Sequence, residues 1–172
     1  MPKIASYSAI EELRDGRKIE IRALRPEDQA GLLAAVDRIG TQSLYRRFFG
    51  ARRNFSETEI AFFLNVDFTN QVALVAVADE SGRDTIVAGG RYILERPGVA
   101  EIAFAVIDEY QGQGLGAALL RHLVEIARSA GLKQFTAEVL PENIPMLKVF
   151  EKSGLKPVTR REAGTVHVTL RL

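Results

Sequence analysis

A glycine-rich segment at 111–117 constrains this chain more than any other feature of its sequence. It reads Gln-Gly-Gln-Gly-Leu-Gly-Ala, follows an apolar run typical of a strand, and precedes a pattern typical of a helix. Glycine loses more conformational freedom on folding than any other residue, so three alternating glycines are costly as pure structure. They leave backbone N–H groups unobstructed beside a helix N-terminus, where phosphate commonly binds. The segment therefore predicts an anion site between a strand and a helix.

Two common phosphate motifs fit this segment poorly. A Walker A loop needs Gly-Lys-Ser/Thr, and no lysine follows these glycines. Gly112, Gly114 and Ala117 formally match the dinucleotide fingerprint Gly-x-Gly-x-x-Gly/Ala. In a dinucleotide site, however, the glycine turn follows its strand almost directly within a βαβ unit. Here residues 108–111 intervene, and the preceding strands have the pattern of an antiparallel meander.

A length of 172 residues with no recognisable linker predicts one domain over residues 1–172. Hydrophobic periodicity predicts the order β-α-α-α-β-β-β-α-β-α-β-β after an N-terminal arm or short helix at 1–16. Short turns at Ser81-Gly82 and Pro97-Gly98 can join only antiparallel strands. Ser56 and Glu59 form a capping-box pattern at a helix start. The fold class expected is therefore mixed α/β, with a mostly antiparallel sheet of about seven strands and helices on both faces. The predicted strands are 18–24, 72–78, 86–94, 99–107, 134–140, 156–161 and 165–172. The predicted helices begin at Pro26, 42, Ser56, Leu115 and Asn143.

Composition excludes several function classes. The chain is 47% hydrophobic and 26% charged, and its 23 basic and 22 acidic residues give a formal charge of +1. That balance lacks the basic excess of a nucleic-acid binder. The absence of cysteine excludes thiol nucleophiles and Cys-ligated metals, and two histidines make a His-rich metal centre unexpected. No apolar run approaches a membrane span and no signal peptide is evident, so we expect a cytoplasmic protein with no metal, nucleic-acid or membrane partner.

Two motifs together resemble the GNAT acetyltransferases. Residues 105–116, Ala-Val-Ile-Asp-Glu-Tyr-Gln-Gly-Gln-Gly-Leu-Gly, are similar to that family's pyrophosphate loop. Residues 143–155, with Asn at the start and Phe-Glu-Lys-Ser-Gly-Leu at the end, resemble its closing motif. The segments 13–16, 21–22, 25–28 and 43–49 resemble more narrowly the acetyltransferase domain of bacterial Pat-type protein lysine acetyltransferases.

The resemblance implies transfer of an acetyl group from acetyl-CoA to a primary amine, with a protein lysine as the expected acceptor. A GNAT enzyme acting on a small-molecule amine and a non-catalytic acyl-CoA-binding module are the alternatives. Asn143 would hydrogen-bond the cofactor arm, and the β-strand before the loop would pair with pantetheine. The implied cofactor-binding residues are Phe104, Ala105, Val106, Gln111, Gly112, Gln113, Gly114, Leu115, Gly116, Ala117 and Asn143.

Glu101 is the first candidate for the catalytic base. It lies in a run that is apolar on both faces, so we expect burial to raise its pKa toward the range useful for deprotonating an ammonium. The resemblance also implies a base on this strand. Alternatively, Glu101 is solvated at the strand mouth or pairs with Arg91. Glu138 on the next strand is the second choice for the base. We favour a structural interpretation of Glu138, as a solvated or salt-bridged strand residue, over a catalytic one.

Three other features have structural interpretations. Phe150 stands where the family often has a tyrosine that protonates the leaving thiolate, and we interpret it as a core aromatic. Arg46, Arg47, Arg52 and Arg53 lie among aromatic residues and are interpreted as a solvated basic helix face. His167 has the alternation of a surface strand position, and His122 has no partner that the sequence identifies.

Overall fold

The computed structural model describes residues 4–39 and 56–172. Within them, eight strands form one sheet in the order β1-β2-β3-β4-β5-β6-β8-β7. Every pairing is antiparallel except that of β5 with β6. The strands are β1 (Ser8–Glu12), β2 (Lys18–Ala23), β3 (Gln71–Glu80), β4 (Arg83–Arg96), β5 (Val99–Val106), β6 (Gln134–Val139), β7 (Val158–Glu162) and β8 (Thr165–Arg171). The described helices are α1 (Gln29–Asp37), α2 (Glu57–Leu64), α3 (Leu115–Ser129) and α4 (Ile144–Glu151).

Helices cover both faces of this sheet, as the sequence predicts. On one face, Arg91 of β4 donates a hydrogen bond to the carbonyl of Phe63 in α2 at 3.2 Å. On the other, Phe104 of β5 packs against Phe150 of α4, with ring centroids 6.4 Å apart. A Cβ built on Gly90 would come within 2.7 Å of Phe104, so glycine there lets that ring lie flat on the sheet. The fold class is confirmed as mixed α/β with a mostly antiparallel sheet.

Local sequence signals account for the element boundaries. Ser56 caps α2, since its hydroxyl accepts from the Glu59 N–H while the Glu59 carboxylate accepts from the Ser56 N–H. The β3–β4 turn contains Ser81 and Gly82, both at positive φ. Gly131, at φ +85°, follows the end of α3 in the left-handed conformation that commonly terminates helices. In the described part of the chain, no helix is both long and apolar enough to cross a bilayer.

The N-terminal residues differ from the prediction. Residues 8–12 form strand β1, which pairs with β2 from Ser8↔Arg22 to Glu12↔Lys18, and a short 3₁₀ turn (Ile4–Ser6) precedes it. The expected arm or short helix is therefore wrong, and the sheet has eight strands instead of about seven. Strand β1 alternates only between exposed and half-buried residues, so no strong hydrophobic pattern marks it. The helix predicted from 42 to 49 lies outside the described residues.

A buried ion pair joins β2 to the start of α1. Two nitrogens of Arg22 contact the Asp28 carboxylate at 2.8 and 2.9 Å, and the Arg25 N–H donates to it at 2.7 Å. Burial alone would raise the pKa of Asp28, but these hydrogen bonds outweigh it and hold the pKa below its ordinary value. The pair fixes the 3₁₀ turn (Pro26–Asp28) that leads into α1.

Asp28→Asn should lower the free energy of unfolding at pH 7 by about 2–3 kcal/mol, because it leaves the buried Arg22 charge unpaired. A carboxyl whose pKa is lowered by folding stabilises above its unfolded pKa, which is about 3.9, and loses that contribution as pH falls through the folded value. The difference between variant and wild type should therefore shrink below about pH 4 in urea titrations. Asp15→Asn, which breaks the exposed pair with Arg17, is the matched control and should leave stability unchanged. A pH-independent defect in Asp28→Asn would contradict this account.

Candidate active site

The site begins where β5 and β6 stop pairing. These parallel strands share three pairs, Val99↔Gln134, Ala100↔Phe135 and Glu101↔Thr136, and pair no further. Strand β5 continues to pair with β4 as far as Val106. The divergence opens a cleft of about 800 Å³ between the two strands.

One edge of β5 presents its backbone to this cleft. The Ile107 N–H donates to the Val87 carbonyl of β4, and successive strand residues point their backbone groups to opposite edges. The N–H and C=O groups of Ile102, Phe104 and Val106 therefore face the β6 side. The Val106 carbonyl does not point at β4 and instead accepts a hydrogen bond from the Gln111 side chain at 3.0 Å, which agrees with this orientation. An extended ligand could pair with this edge as an additional strand.

The glycine loop forms the floor of the cleft at the N-terminus of α3. Gly112 has φ +76° and Gly114, the N-cap, has φ +91°, a region that other residues rarely adopt. The first hydrogen bond of the helix is from the Ala118 N–H to the Gly114 carbonyl. The N–H groups of 112–117 donate to no acceptor within the described residues, so they are available to an anion.

Most predicted cofactor residues meet at this cleft. The exception is Gln113, whose backbone belongs to the loop but which does not line the cavity. The predicted residues in the lining are Phe104, Ala105, Val106, Gln111, Gly112, Gly114, Leu115, Gly116, Ala117, Glu138 and Asn143. The side chain of Ala105 lies on the opposite sheet face from that of Phe104, and its backbone faces β4.

Helix α4 forms the opposite wall. The side-chain oxygen of Asn143 caps α4 by accepting from the Met146 N–H at 3.4 Å, and Asn143 also lines the cleft. Phe150 is only 2% exposed and packs against Phe104, which confirms its interpretation as a core aromatic. Lys148 and Lys152, one helical turn apart, also line the cleft.

The two glutamate candidates lie on the same face of the sheet. Glu101 is opposite Thr136, and Glu138 follows Thr136 by two residues. The expected burial of Glu101 is wrong, because the structure leaves it exposed at the end of the β5–β6 pairing. The helices on this face cover Ala103 and Ala105 more fully than Glu101, so an apolar sequence run does not bury every member.

Glu138 is held by its own partners. The His167 Nδ1 lies 2.5 Å from Oε1 of Glu138, and the Thr165 hydroxyl donates to Oε2 at 2.8 Å. Burial alone would raise the pKa of Glu138, but hydrogen bonds from His167 and Thr165 outweigh it and place the pKa below its ordinary value. The salt-bridged interpretation of Glu138 fits this geometry. His167 lies on the more exposed side of β8, opposite the buried Val166 and Val168, as expected, and it is half-buried against Glu138.

Sequence reasoning missed Arg14 and the partners of His122. Arg14, in the β1–β2 turn, lines the cleft and donates to the Gly112 carbonyl at 3.1 Å. His122 of α3 shares a hydrogen bond with the Tyr7 hydroxyl through Nδ1, and its Nε2 lies 2.6 Å from Oε1 of Glu11. Each contact joins residues about one hundred positions apart, so no local pattern could reveal it. The Arg46, Arg47, Arg52 and Arg53 cluster lies outside the described residues. Within the described ranges, no group of three or more acidic or histidine side chains could hold a metal.

The family comparison agrees with this geometry. A model described as the acetyltransferase (GNAT) family matches residues 29–155. The chain belongs to the GNAT acetyltransferase family. Membership confirms the predicted enzyme class, an acetyl-CoA-dependent N-acetyltransferase. It also agrees with the element order and the position of the glycine loop.

Two named bacterial acetyltransferases, one of them called Pat, are among the similar proteins. The chain is 34% identical over 126 residues to an acetyltransferase of Pseudomonas aeruginosa, which covers 73% of this chain and 68% of that protein. It is 30% identical over 157 residues to the acetyltransferase Pat of Mycolicibacterium smegmatis, covering 90% of this chain and 46% of the relative. This chain thus spans about half the length of that Pat protein.

Solved structures give the same result. The GNAT domain of S. lividans PAT matches with a TM-score of 0.86 at 32% identity, covering 96% of this chain and 97% of that one. A cAMP-binding acyltransferase from Mycobacterium smegmatis matches with a TM-score of 0.66 at 26% identity, covering 96% of this chain and 47% of that one. These matches are consistent with a Pat-type GNAT domain.

Gly114→Glu should abolish measurable acetyl-CoA binding in calorimetry, because it strains the loop and places a carboxylate among N–H groups that would receive phosphate. Gly131→Glu is the matched control, since Gly131 also has positive φ and open space around it but lies at the other end of α3. Both variants should lose about 1 kcal/mol of stability from backbone strain. Only Gly114→Glu should lose affinity. Equal affinities of the two variants for acetyl-CoA would show that the loop is not part of the binding site.

Proposed function

We propose that this chain transfers an acetyl group from acetyl-CoA to the ε-amine of a protein lysine. The observation that carries the proposal is the open edge of β5 ending at a loop of unpaired N–H groups. An acyl-pantetheine arm offers amides that can pair with the edge, and its pyrophosphate offers oxygens that can accept from the loop. The described residues therefore fit the two chemically distinct parts of this co-substrate.

Most of the predicted cofactor residues have a role in this arrangement. The backbone groups of Phe104 and Val106 pair with the pantetheine amides, and the Asn143 amide donates to the arm from α4. The N–H groups of Gly112, Gly114 and the following residues bind the pyrophosphate. An N–H on the β5 edge, near the point of divergence, stabilises the oxyanion that forms when the amine attacks the thioester carbonyl. Gln111 holds the Val106 carbonyl and so fixes the start of the loop.

Glu101 accepts the acceptor's proton, directly or through a water. A lysine ammonium has a pKa of about 10.4 and must lose a proton before its nitrogen can attack. Glu101 is at the point of divergence, where the thioester would emerge on the face covered by α1 and α2. Its exposure gives the proton a route to solvent. Glu138 remains the second choice, but the hydrogen bonds from His167 and Thr165 stabilise its carboxylate form and so make it a weaker base.

The leaving group needs no acid from Phe150. When the tetrahedral intermediate collapses, the C–S bond breaks and the sulfur leaves with the electron pair. A thiol with a pKa of about 8.5 can leave as a thiolate near neutral pH. Phe150, buried against Phe104, instead shapes the wall beside the arm.

Glu101→Gln should reduce turnover with acetyl-CoA and a lysine peptide by about 10²–10⁴-fold at pH 7, because it keeps the shape and removes the base. The affinity for acetyl-CoA should not change, and the defect should shrink at high pH, where more free amine is present. Glu138→Gln is the matched control and should retain most of the turnover. If Glu138→Gln is the more damaging change, Glu138 is the base and this assignment is wrong.

The lysine acceptor is supported by the similarity to Pat proteins. Incubation of the chain with acetyl-CoA and a deacetylase-deficient bacterial lysate should raise acetyl-lysine on specific proteins, as measured by mass spectrometry. Glu101→Gln is the control for non-enzymatic acetylation and should leave only the background level of acetyl-lysine.

Two outcomes would favour the alternative functions. Thiol release with small amines but no acetyl-lysine would point to a small-molecule acceptor. Acetyl-CoA binding without thiol release on any amine would identify a non-catalytic binding module. A cytoplasmic location is part of this proposal.

A further inference from the structure

Arg14 is a cation beside the glycine loop that the motif does not include. It lies in the turn between β1 and β2, and its guanidinium donates to the Gly112 carbonyl at 3.1 Å. Its backbone N–H contacts the Gln113 carbonyl at 3.4 Å. A Cβ built on Gly114 would lie 3.9 Å from Arg14 Nε, so the guanidinium stands directly next to the N-cap of α3.

The guanidinium of Arg14 has no carboxylate partner in the described part of the chain. No carboxylate of the described residues lies within ion-pair distance of Arg14, whereas Arg17 in the same turn pairs with Asp15 at 2.7 Å. Among the residues that the structure describes, the charged side chains that line the cleft are Arg14, Glu138, Lys148 and Lys152. Three of these four side chains are cationic, so positive charge exceeds negative charge in this lining.

We propose that Arg14 binds the pyrophosphate of the acyl donor, together with the N–H groups of the loop. The proposal rests on the proposed function, since it takes the loop as the phosphate site. A guanidinium has five N–H donors in a planar fork, and the Gly112 carbonyl occupies only part of them. The remaining donors can bind phosphate oxygens from the open side of the loop. The β1–β2 hairpin is then a third wall of the cofactor site.

The test compares three donors that differ in their phosphates. Acetyl-CoA carries the pyrophosphate and the ribose phosphate, acetyl-dephospho-CoA carries only the pyrophosphate, and S-acetylpantetheine carries neither. Arg14→Gln should weaken the binding of the first two by about ten-fold in calorimetry, the usual scale for losing one charge-assisted hydrogen bond. It should leave KM and kcat for S-acetylpantetheine unchanged. Arg14→Lys, which keeps the charge but loses the fork, should recover part of the affinity.

Lys18→Gln is the matched control. Lys18 is exposed on the same hairpin and does not line the cleft, and its substitution by Gln removes the same unit charge as Arg14→Gln. It should bind all three donors as the wild type does. Thermal unfolding of each variant checks that the hairpin stays folded.

The outcomes separate this proposal from the proposed function. Equal weakening of all three donors by Arg14→Gln would mean that Arg14 supports the cleft as a whole, which overturns the proposal. Affinities for acetyl-CoA and acetyl-dephospho-CoA that Arg14→Lys recovers no better than Arg14→Gln would mean that Arg14 acts only by holding the loop through the Gly112 carbonyl, which also overturns it. Weakening of acetyl-CoA alone would assign Arg14 to the ribose phosphate and also overturn it. A wild-type chain that binds none of the donors would instead overturn the proposed function.

Discussion

The separation of β5 from β6 is the constraint on which the rest of the site depends. Parallel strands that paired along their full length would leave no room for a ligand, and these strands part after Glu101 and Thr136. A strand edge with unpaired backbone groups is costly if it is buried without water or a partner. The cleft keeps this edge open to solvent on one side. An amide-containing arm bound here would replace that water with the pairing that β6 would otherwise have supplied.

The chemistry of the cleft changes along its length. At the β5 end the ligand would meet backbone donors and acceptors and the apolar surface of Phe104 and Phe150. At the α3 end it would meet unpaired N–H groups, the positive end of the helix dipole and the Arg14 guanidinium. A molecule with an amide arm and an anionic tail matches this order, whereas a short apolar ligand would use only half of it. The family assignment and the physical arrangement thus agree without either depending on the other.

Features with local causes could be predicted from the sequence, and features created by long-range pairing could not. The capping box at Ser56 and Glu59, the turn at Ser81-Gly82 and the glycine loop all lie within a few residues, and the structure has them where the pattern places them. Strand β1 exists because β2 offers it an edge, and its own alternation is too weak to mark it. The burial of Glu101 was overestimated because the apolar run does not reveal where the covering helices end. Arg14 was missed for the same physical reason, since its contact with Gly112 crosses 98 positions.

The hairpin of β1 and β2 contacts α3 at His122 and the glycine loop at Gly112, and these contacts make it part of the site. Below the loop, Tyr7 and Glu11 contact His122, and Arg121 contacts the same Glu11 carboxylate at 2.6 Å. Burial alone would raise the pKa of Glu11, but the hydrogen bonds from Arg121 and His122 outweigh it and lower the pKa, so the carboxylate stays charged near neutral pH. At the tip, Arg14 reaches the first residues of the loop. The hairpin is therefore attached both to α3 and to the glycine loop, and these two contacts together fix the position of Arg14 beside the cleft.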